Sequence, residues 1–491
     1  MAASAILLHR RFYHALWCAA NSFYSLTAPD HVFQSQELLF KPSQIELGDV
    51  PAHEPAREVT LPKNSASNLD SRTVQSALEA LSRETKKSRL ARVFPFLGPA
   101  FIASVAYVDP GNFATNIQGG AQFGYLLLWV IITSNLIAML IQTLSAKLGL
   151  ATGQNLAEHC RNQFPKPVSI TMWIIMEAVA MATDLAEFMG AALGFQLLFG
   201  IPLLAGALLT ALTTIGILGM ERFGFRPLEA VISAMVAVIA LCYVAEIFIA
   251  SPDWGDIAGH VVRPAFAGRE SILLATGIIG ATVMPHAIFL HSSLMQGRIV
   301  VKDRAKLRTL FRYEIMDVVI AMGIASFVNM SMLIMAAATF YATGKTSVAT
   351  IEEAYRTLEP LLGSAAKYIF GISLLFSGLS SSSVGTSAGQ VIMQGFIQRH
   401  IKPWIRRLVT MAPSLFVIAM GFDPTRTLVI SQVVLSFGLP FAIVPLVLFT
   451  RRRDLMGDLV NKGATTVLAG VAASLIVALN IYLIYATFFP G

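Results

Sequence analysis

Ala106-Tyr107-Val108-Asp109-Pro110-Gly111-Asn112 and Ala281-Thr282-Val283-Met284-Pro285-His286 each set a proline at the midpoint of a long apolar run. A proline lacks the backbone donor that a helix needs, and the Pro110-Gly111 pair favours a non-helical turn. Inside a bilayer every backbone polar group must find a partner, so a helix that stops at mid-membrane does so beside protein or a watery cavity. The two stretches share one order, Ala, two residues, one side chain, Pro, and they fall in the first and sixth apolar runs. Interruptions at corresponding places in two halves point to an inverted-repeat transporter with its site at the breaks.

Outward from these breaks, apolar runs are centred near residues 107, 136, 184, 210, 239, 283, 328, 379, 414, 438 and 476. Blocks such as 124–146 and 464–487 each supply the roughly 20 residues that cross hydrocarbon. The prediction is an all-α polytopic membrane protein of about 11 transmembrane helices, a 5+5 inverted repeat with helices 1 and 6 unwound and an extra eleventh helix. Helices 1–5 cover about 94–250, helices 6–10 about 271–450 and helix 11 about 464–488, within a transporter domain of 93–490. The ninth run, Leu408 to Phe422, is short, which puts Arg406 and Arg407 near membrane level.

Composition excludes a soluble fold. Of 491 residues 13% are charged and 55% hydrophobic, with mean hydropathy +0.65, whereas a soluble domain carries roughly a quarter charged residues. The net charge of +7 does not signal nucleic acid, because the basic excess sits in short loops between apolar runs. Alternating the spans from an inside N-terminus puts 19 basic residues in the inner loops, among them Arg222, Arg298, Lys302, Arg399, Lys402 and Arg451 to Arg453, and 6 in the outer loops. The N-terminus is therefore expected in the cytoplasm and the C-terminus on the outer side. Cys18, Cys160 and Cys242 are too scattered for a disulfide framework or a zinc cluster and read as inert.

Residues 1–92 are polar and carry both signs of charge, which predicts a largely disordered cytoplasmic tail. Its last part, Val74 to Arg92, reads as an amphipathic helix whose Lys86, Lys87, Arg89 and Arg92 would meet anionic headgroups. The first 29 residues hold no acid and include Arg10 and Arg11, a pattern shared by transit peptides and by a start codon assigned too far upstream.

The groups at the breaks make a cation site. Asp109 supplies an anionic oxygen, Asn112 an amide oxygen and Met284 a thioether, and the carbonyls of Ala106 and Ala281 lose their helical partners. A carboxylate at bilayer depth costs several kcal/mol or more unless paired or coordinated. Hard Mg²⁺ and Ca²⁺ prefer all-oxygen shells, so one sulfur shifts preference toward Mn²⁺, Fe²⁺ or Cd²⁺. In span three, Glu177, Asp184 and Glu187 share a helical face, and in span six His286 and His291 follow the break. Carboxylates and imidazoles along one route read as a proton relay that Arg406 and Arg407 receive or balance; the lesser alternative is static ion pairs, such as Asp184 with Arg407, that hold helices together.

Taken together, Asp109-Pro110-Gly111-Asn112, Met284-Pro285-His286 with Leu290-His291-Ser292, and Ala182-Thr183-Asp184-Leu185-Ala186-Glu187 resemble the NRAMP family of proton-coupled divalent metal transporters. The resemblance runs from about residue 94 to 489 and leaves out the tail. It implies a fold like that of sodium-coupled amino-acid symporters, alternating access, and import of Mn²⁺ or Fe²⁺ into the cytoplasm with protons. It also implies Asp109, Asn112, Met284 and the carbonyl of Ala281 as metal ligands, with Ala106 and Gln432 joining in some conformations. Asn135 and Asn329 match the family's gating asparagines, and Asp184, Glu187, His286, Arg406 and Arg407 its proton pathway. Members that carry Mg²⁺ or Al³⁺ depart from the methionine motif, and this sequence keeps it.

The nearest rival is a sodium-coupled amino-acid symporter, with the serine run Ser380 to Ser383 as a sodium site; such a carrier would meet a substrate carboxylate with helix N-termini and would not want Asp109 there. An intramembrane aspartyl enzyme built on Asp109 and Asp184 lacks any Gly-x-Gly-Asp or His-Glu-x-x-His segment. The chain is thus expected not to be an enzyme, to hold no resident cofactor, and to work as a monomer with metal ions, protons and lipid as its partners. The one Asn-x-Ser/Thr sequence, Asn329-Met330-Ser331, is buried in a span, which fits a bacterial inner membrane.

Overall fold

Pro99 opens a short helix, α1 (Pro99–Val105), which tightens into a 3-10 turn over Ala106–Val108 and ends at Asp109. Pro110 then starts α2 (Pro110–Phe123), where its missing donor costs nothing. The protein is seen here as a computed structural model that describes residues 96–220, 225–296, 303–348, 350–398 and 403–488. The tail, with its expected helix over Val74 to Arg92, lies outside the described residues, as do Arg222, Arg298, Lys302, Arg399, Lys402 and the side chain of Arg407.

After the first break come α3 (Leu128–Thr152), α4 (Leu156–Gln163), α5 (Lys166–Phe199), α6 (Leu203–Leu218), α7 (Phe225–Ala250) and α8 (Trp254–Val262). The second half begins with α9 (Arg269–Thr282) and α10 (Pro285–Met295), separated by extended backbone at Val283 and Met284. It continues through α11 (Arg304–Ala336), α12 (Ile351–Leu362), α13 (Ser364–Ile397), α14 (Pro403–Ala419) and α15 (Pro424–Thr450), and ends with α16 (Arg453–Met456) and α17 (Gly463–Phe488). All regular structure in the described residues is helical. Eight helices there are long and apolar enough to cross a membrane, and shorter apolar helices at Pro99–Val108, Leu203–Leu218 and Leu408–Ala419 stand where further spans are expected. Span one falls short because Asp109 cuts it into two pieces.

The two long helices α5 and α13 pack most extensively, and both broken helices lie against them. Large apolar side chains such as Leu212, Leu241, Phe248 and Val467 stay exposed on the periphery, where only hydrocarbon suits them. The serines of α13 turn inward on their own helix: Ser380, Ser381 and Ser383 donate to the carbonyls of Ser377, Gly378 and Leu379. Those hydroxyls therefore spend their protons on helix carbonyls.

One acid absent from the sequence reading fixes the start of span one. Asp317 of α11 accepts from the N–H groups of Gly98, at 3.2 Å, and Ala100, at 2.9 Å. Asp317→Ala strands two buried donors, at a cost of about 1–3 kcal/mol. Thermal unfolding of the purified protein in detergent is expected at a lower midpoint; an unchanged midpoint would remove Asp317 as the anchor of α1.

Candidate metal site

Both breaks follow from the same covalent fact. In a continuous helix the carbonyls of Ala106 and Ala281 would accept from residues four further on, and those residues are Pro110 and Pro285, which have no N–H. At the second break the structure supplies a partner from the first: Asn112 Nδ2 donates to the Ala281 carbonyl at 3.2 Å. Neighbouring carbonyls released at the first break are taken by other helices. Asn329 Nδ2 donates to Tyr107 O at 2.8 Å, Ser377 Oγ donates to Val108 O at 2.5 Å, and Asn116 Nδ2 holds Asn329 Oδ1 at 3.1 Å.

Asp109 sits where these lines meet, 2% exposed. Its Oδ1 accepts from Asn112 N at 3.0 Å and Asn112 Nδ2 at 2.5 Å, and its Oδ2 from Gly111 N at 3.1 Å and Gln432 Nε2 at 3.2 Å. A side chain at Gly111 would run into the Gln432 amide, so glycine is required for Gln432 to reach the carboxylate. Since Asn112 and Gln432 present their NH₂ groups to acceptors, their buried oxygens Oδ1 and Oε1 are left without hydrogen-bond partners. A buried carboxylate flanked by two unsatisfied amide oxygens, beside the Ala281 carbonyl that has no helical partner, is a donor set for a cation. The positive end of α2, which an amino-acid symporter would offer to its substrate's carboxylate, is filled here by the protein's own Asp109.

Met284 completes the arrangement. It occupies the position before α10 with extended backbone and a wholly buried side chain that makes no cap bond. Its backbone bonds the hydroxyl of Tyr107, which ties the two breaks together a second time. Among the described residues no three His, Cys, Asp or Glu side chains converge on a metal position; the set around Asp109 has one charge and otherwise neutral donors.

The expected relay residues are distributed in space. Asp184 and Glu187 are buried on α5, and Glu187 lies against Gly385 of α13, where any larger residue would collide with its carboxylate. Thr183 Oγ1 is 3.2 Å from His286 Nδ1, joining α5 to the second break. Two turns before Asp184 on α5, Glu177 Oε1 accepts from Arg406 at 2.7 Å. His291 departs from this route. Five residues beyond His286 it is turned about 140° around the helix, and it bonds Gln142 Oε1 at 2.9 Å and Glu314 Oε1 at 3.0 Å. Gln142 in turn donates to the Tyr107 hydroxyl at 2.6 Å. The sequence reading gives Tyr107, Gln142 and Glu314 no role, yet a glutamate as the eleventh residue of a helix that starts at Arg304 carries the signal of a buried acid in a span. Of the two asparagines expected to gate, Asn329 is bonded to the break, while Asn135 donates to Ile131 O of its own helix at 2.8 Å.

A cavity of about 420 Å³ runs between α2, α9 and α15 and has Gln432 in its wall. It therefore gives the carboxylate's neighbour access to one side of the molecule.

Helices broken at matching points of two repeats, with a lone carboxylate and neutral oxygens at the crossing, define a cation-handling secondary transporter of the inverted-repeat class. The family model described as natural resistance-associated macrophage protein-like matches residues 100–486, and the chain belongs to this Nramp family. The divalent metal cation transporter MntH of Burkholderia ambifaria is 52% identical over 405 residues, 82% of this chain and 92% of that protein. The crystal structure of a histidine-to-alanine variant of the Eremococcus coleocola manganese transporter matches with a TM-score of 0.75 at 33% identity, covering 82% of this chain and 90% of that one. Mhp1, a nucleobase-cation-symport-1 family transporter, matches at a TM-score of 0.53 and 15% identity over 80% of this chain and 92% of its own, a likeness of fold alone.

Proposed function

We propose that this chain imports divalent transition metal ions, Mn²⁺ or Fe²⁺, into the cytoplasm by alternating access with protons as the coupling ion. One observation carries the reading: the Asp109 carboxylate is held by amides whose own buried oxygens lack partners. A bound cation would take Asp109, Asn112 Oδ1, Gln432 Oε1, the Ala281 carbonyl and the Met284 sulfur, with Ala106 entering as the helices move. Neutral oxygens plus one sulfur suit a borderline divalent ion over Ca²⁺ or Mg²⁺. The kinship with MntH supports the same cargo.

The proton would leave along α5, through His286, Asp184 and Glu187 toward Glu177, Arg406 and Arg407, with His291 on a separate branch through Gln142 to Glu314. Asn329 and Asn135 would gate the breaks. The basic bias of the inner loops supports a cytoplasmic N-terminus and an outer C-terminus in a bacterial inner membrane. Residues 1–92 would form a cytoplasmic tail outside a monomeric carrier of residues 93–490.

Uptake by the purified chain in liposomes tests this directly. Mn²⁺ should enter and acidify the lumen, with Fe²⁺ and Cd²⁺ competing well and Mg²⁺ and Ca²⁺ poorly at two external pH values. Metal entry without proton entry would overturn the coupling, and equal competition by Ca²⁺ would overturn the site. Glu187→Gln keeps the shape of the side chain and cannot ionise, so proton flux should fall by about tenfold or more with Mn²⁺ binding changed far less. Equal proton flux in the variant would make that face of α5 structural.

A further inference from the structure

The 420 Å³ cavity carries one charge, and it lies far from the break. Glu270, in the first turn of α9, lines the cavity and is exposed. Below it the wall is uncharged and mostly apolar, with Leu273, Leu274, Val429 and Val433 in it, and its polar groups are few: Gln118 and Gln122 one helical turn apart on α2, Thr115 and Thr276, down to Gln432. No lysine, arginine or histidine lines this cavity among the described residues. Arg269, one residue before Glu270, is turned about 100° around the helix and is not in the wall.

At 1.5 Å of rise per residue, Glu270 stands about 16 Å along α9 from the Ala281 carbonyl. That separation keeps Glu270 out of the coordination shell of a cation held at Asp109, where oxygen ligands stand at roughly 2–2.6 Å. Its charge acts on cations outside. A single carboxylate in the wall of a low-dielectric funnel whose lining holds no cation favours positive ions at the mouth. Gln118, Gln122 and Thr115 place the few oxygen donors of the wall between this mouth and Gln432.

We propose that Glu270 is an outer capture station, where a hydrated divalent cation pauses before descending past Gln118, Gln122 and Thr115 to Gln432. The proposal rests on the reading of the chain as a metal carrier, and its mouth is the outer one under the orientation given above. Glu270 raises the local cation concentration without entering the final coordination shell. Its effect therefore falls on the apparent KM and not on the maximal rate.

The experiment compares Mn²⁺ uptake by liposomes containing the wild-type chain, Glu270→Gln, Glu270→Lys and Glu270→Asp, at about 0.02 M and about 0.5 M external salt, spanning a Debye length of about 20 Å to about 4 Å. At low salt the apparent KM is expected to rise about three- to tenfold in Glu270→Gln and further in Glu270→Lys, and to stay near wild type in Glu270→Asp, with maximal rates within about twofold throughout. At high salt the differences should shrink below about twofold. Unchanged KM in both charge variants at low salt, a difference that persists at high salt, or a loss confined to the maximal rate would each overturn the capture station while wild-type uptake stands. Absence of Mn²⁺ uptake by the wild-type chain would overturn the carrier reading itself, and the station with it.

Discussion

Asp109→Ala should reduce Mn²⁺ uptake by at least about a hundredfold, the equivalent of roughly 2.8 kcal/mol or more of lost interaction, while the protein still inserts and folds. The carboxylate is the only formal charge among the groups meeting at the two breaks, so its removal leaves a divalent ion to be stripped of water by neutral oxygens and one thioether. The structural cost should be small by comparison. Losing the cap on α2 costs about 1 kcal/mol, and deleting a buried charge offsets part of that. Asp109→Asn separates the two roles, because the amide keeps a cap oxygen but not the charge. Uptake by both variants in liposomes, with elution from a sizing column as the folding control, checks the expectation. Wild-type rates in Asp109→Asn would move the metal site away from the break.

Met284→Ala should change what the carrier prefers. Sulfur is the one soft donor at the breaks, and the Met284 side chain is wholly buried there without a cap bond of its own. Its removal opens a position that water fills, turning the shell to all oxygen, which suits Ca²⁺ and Mg²⁺ better and Cd²⁺ worse. A soft contact worth about one to three kcal/mol corresponds to a change of roughly fivefold to over a hundredfold in relative competition. Mn²⁺ stands between the limits and should lose less than Cd²⁺. The measurement is Mn²⁺ uptake by the variant with Ca²⁺, Mg²⁺ and then Cd²⁺ as competitors. If Ca²⁺ and Mg²⁺ gain nothing and Cd²⁺ loses nothing, Met284 only fills space.

Much of this was legible from residues alone, and for one reason: a proline acts through its own covalent structure. Pro110 and Pro285 remove the donors that the carbonyls of Ala106 and Ala281 would need in any helix, wherever that helix packs, so the breaks and their correspondence could be read before any contact was known. The long apolar runs likewise define spans by length and transfer free energy, which are local properties. Asp109 stood out because a charge between two apolar half-spans is costly in any packing.

Partnership between helices was another matter. Glu177, Asp184 and Glu187 share a face of α5 by helical period, but only the packing of α14 on α5 gives Glu177 to Arg406, 229 residues further along the chain. His286 and His291 follow the same break and read as one route, yet the turn of the helix sends one to Thr183 and the other to Gln142 and Glu314. Gln432 reaches Asp109 across 323 residues, and Asp317 caps a helix that begins 218 residues before it. Which helix carries a residue is written in the periodicity of its neighbours. Which residue it meets depends on how helices far apart in sequence pack, and in a bilayer that is settled by close fit and by the need of each buried polar group for a partner, neither of which one segment holds alone.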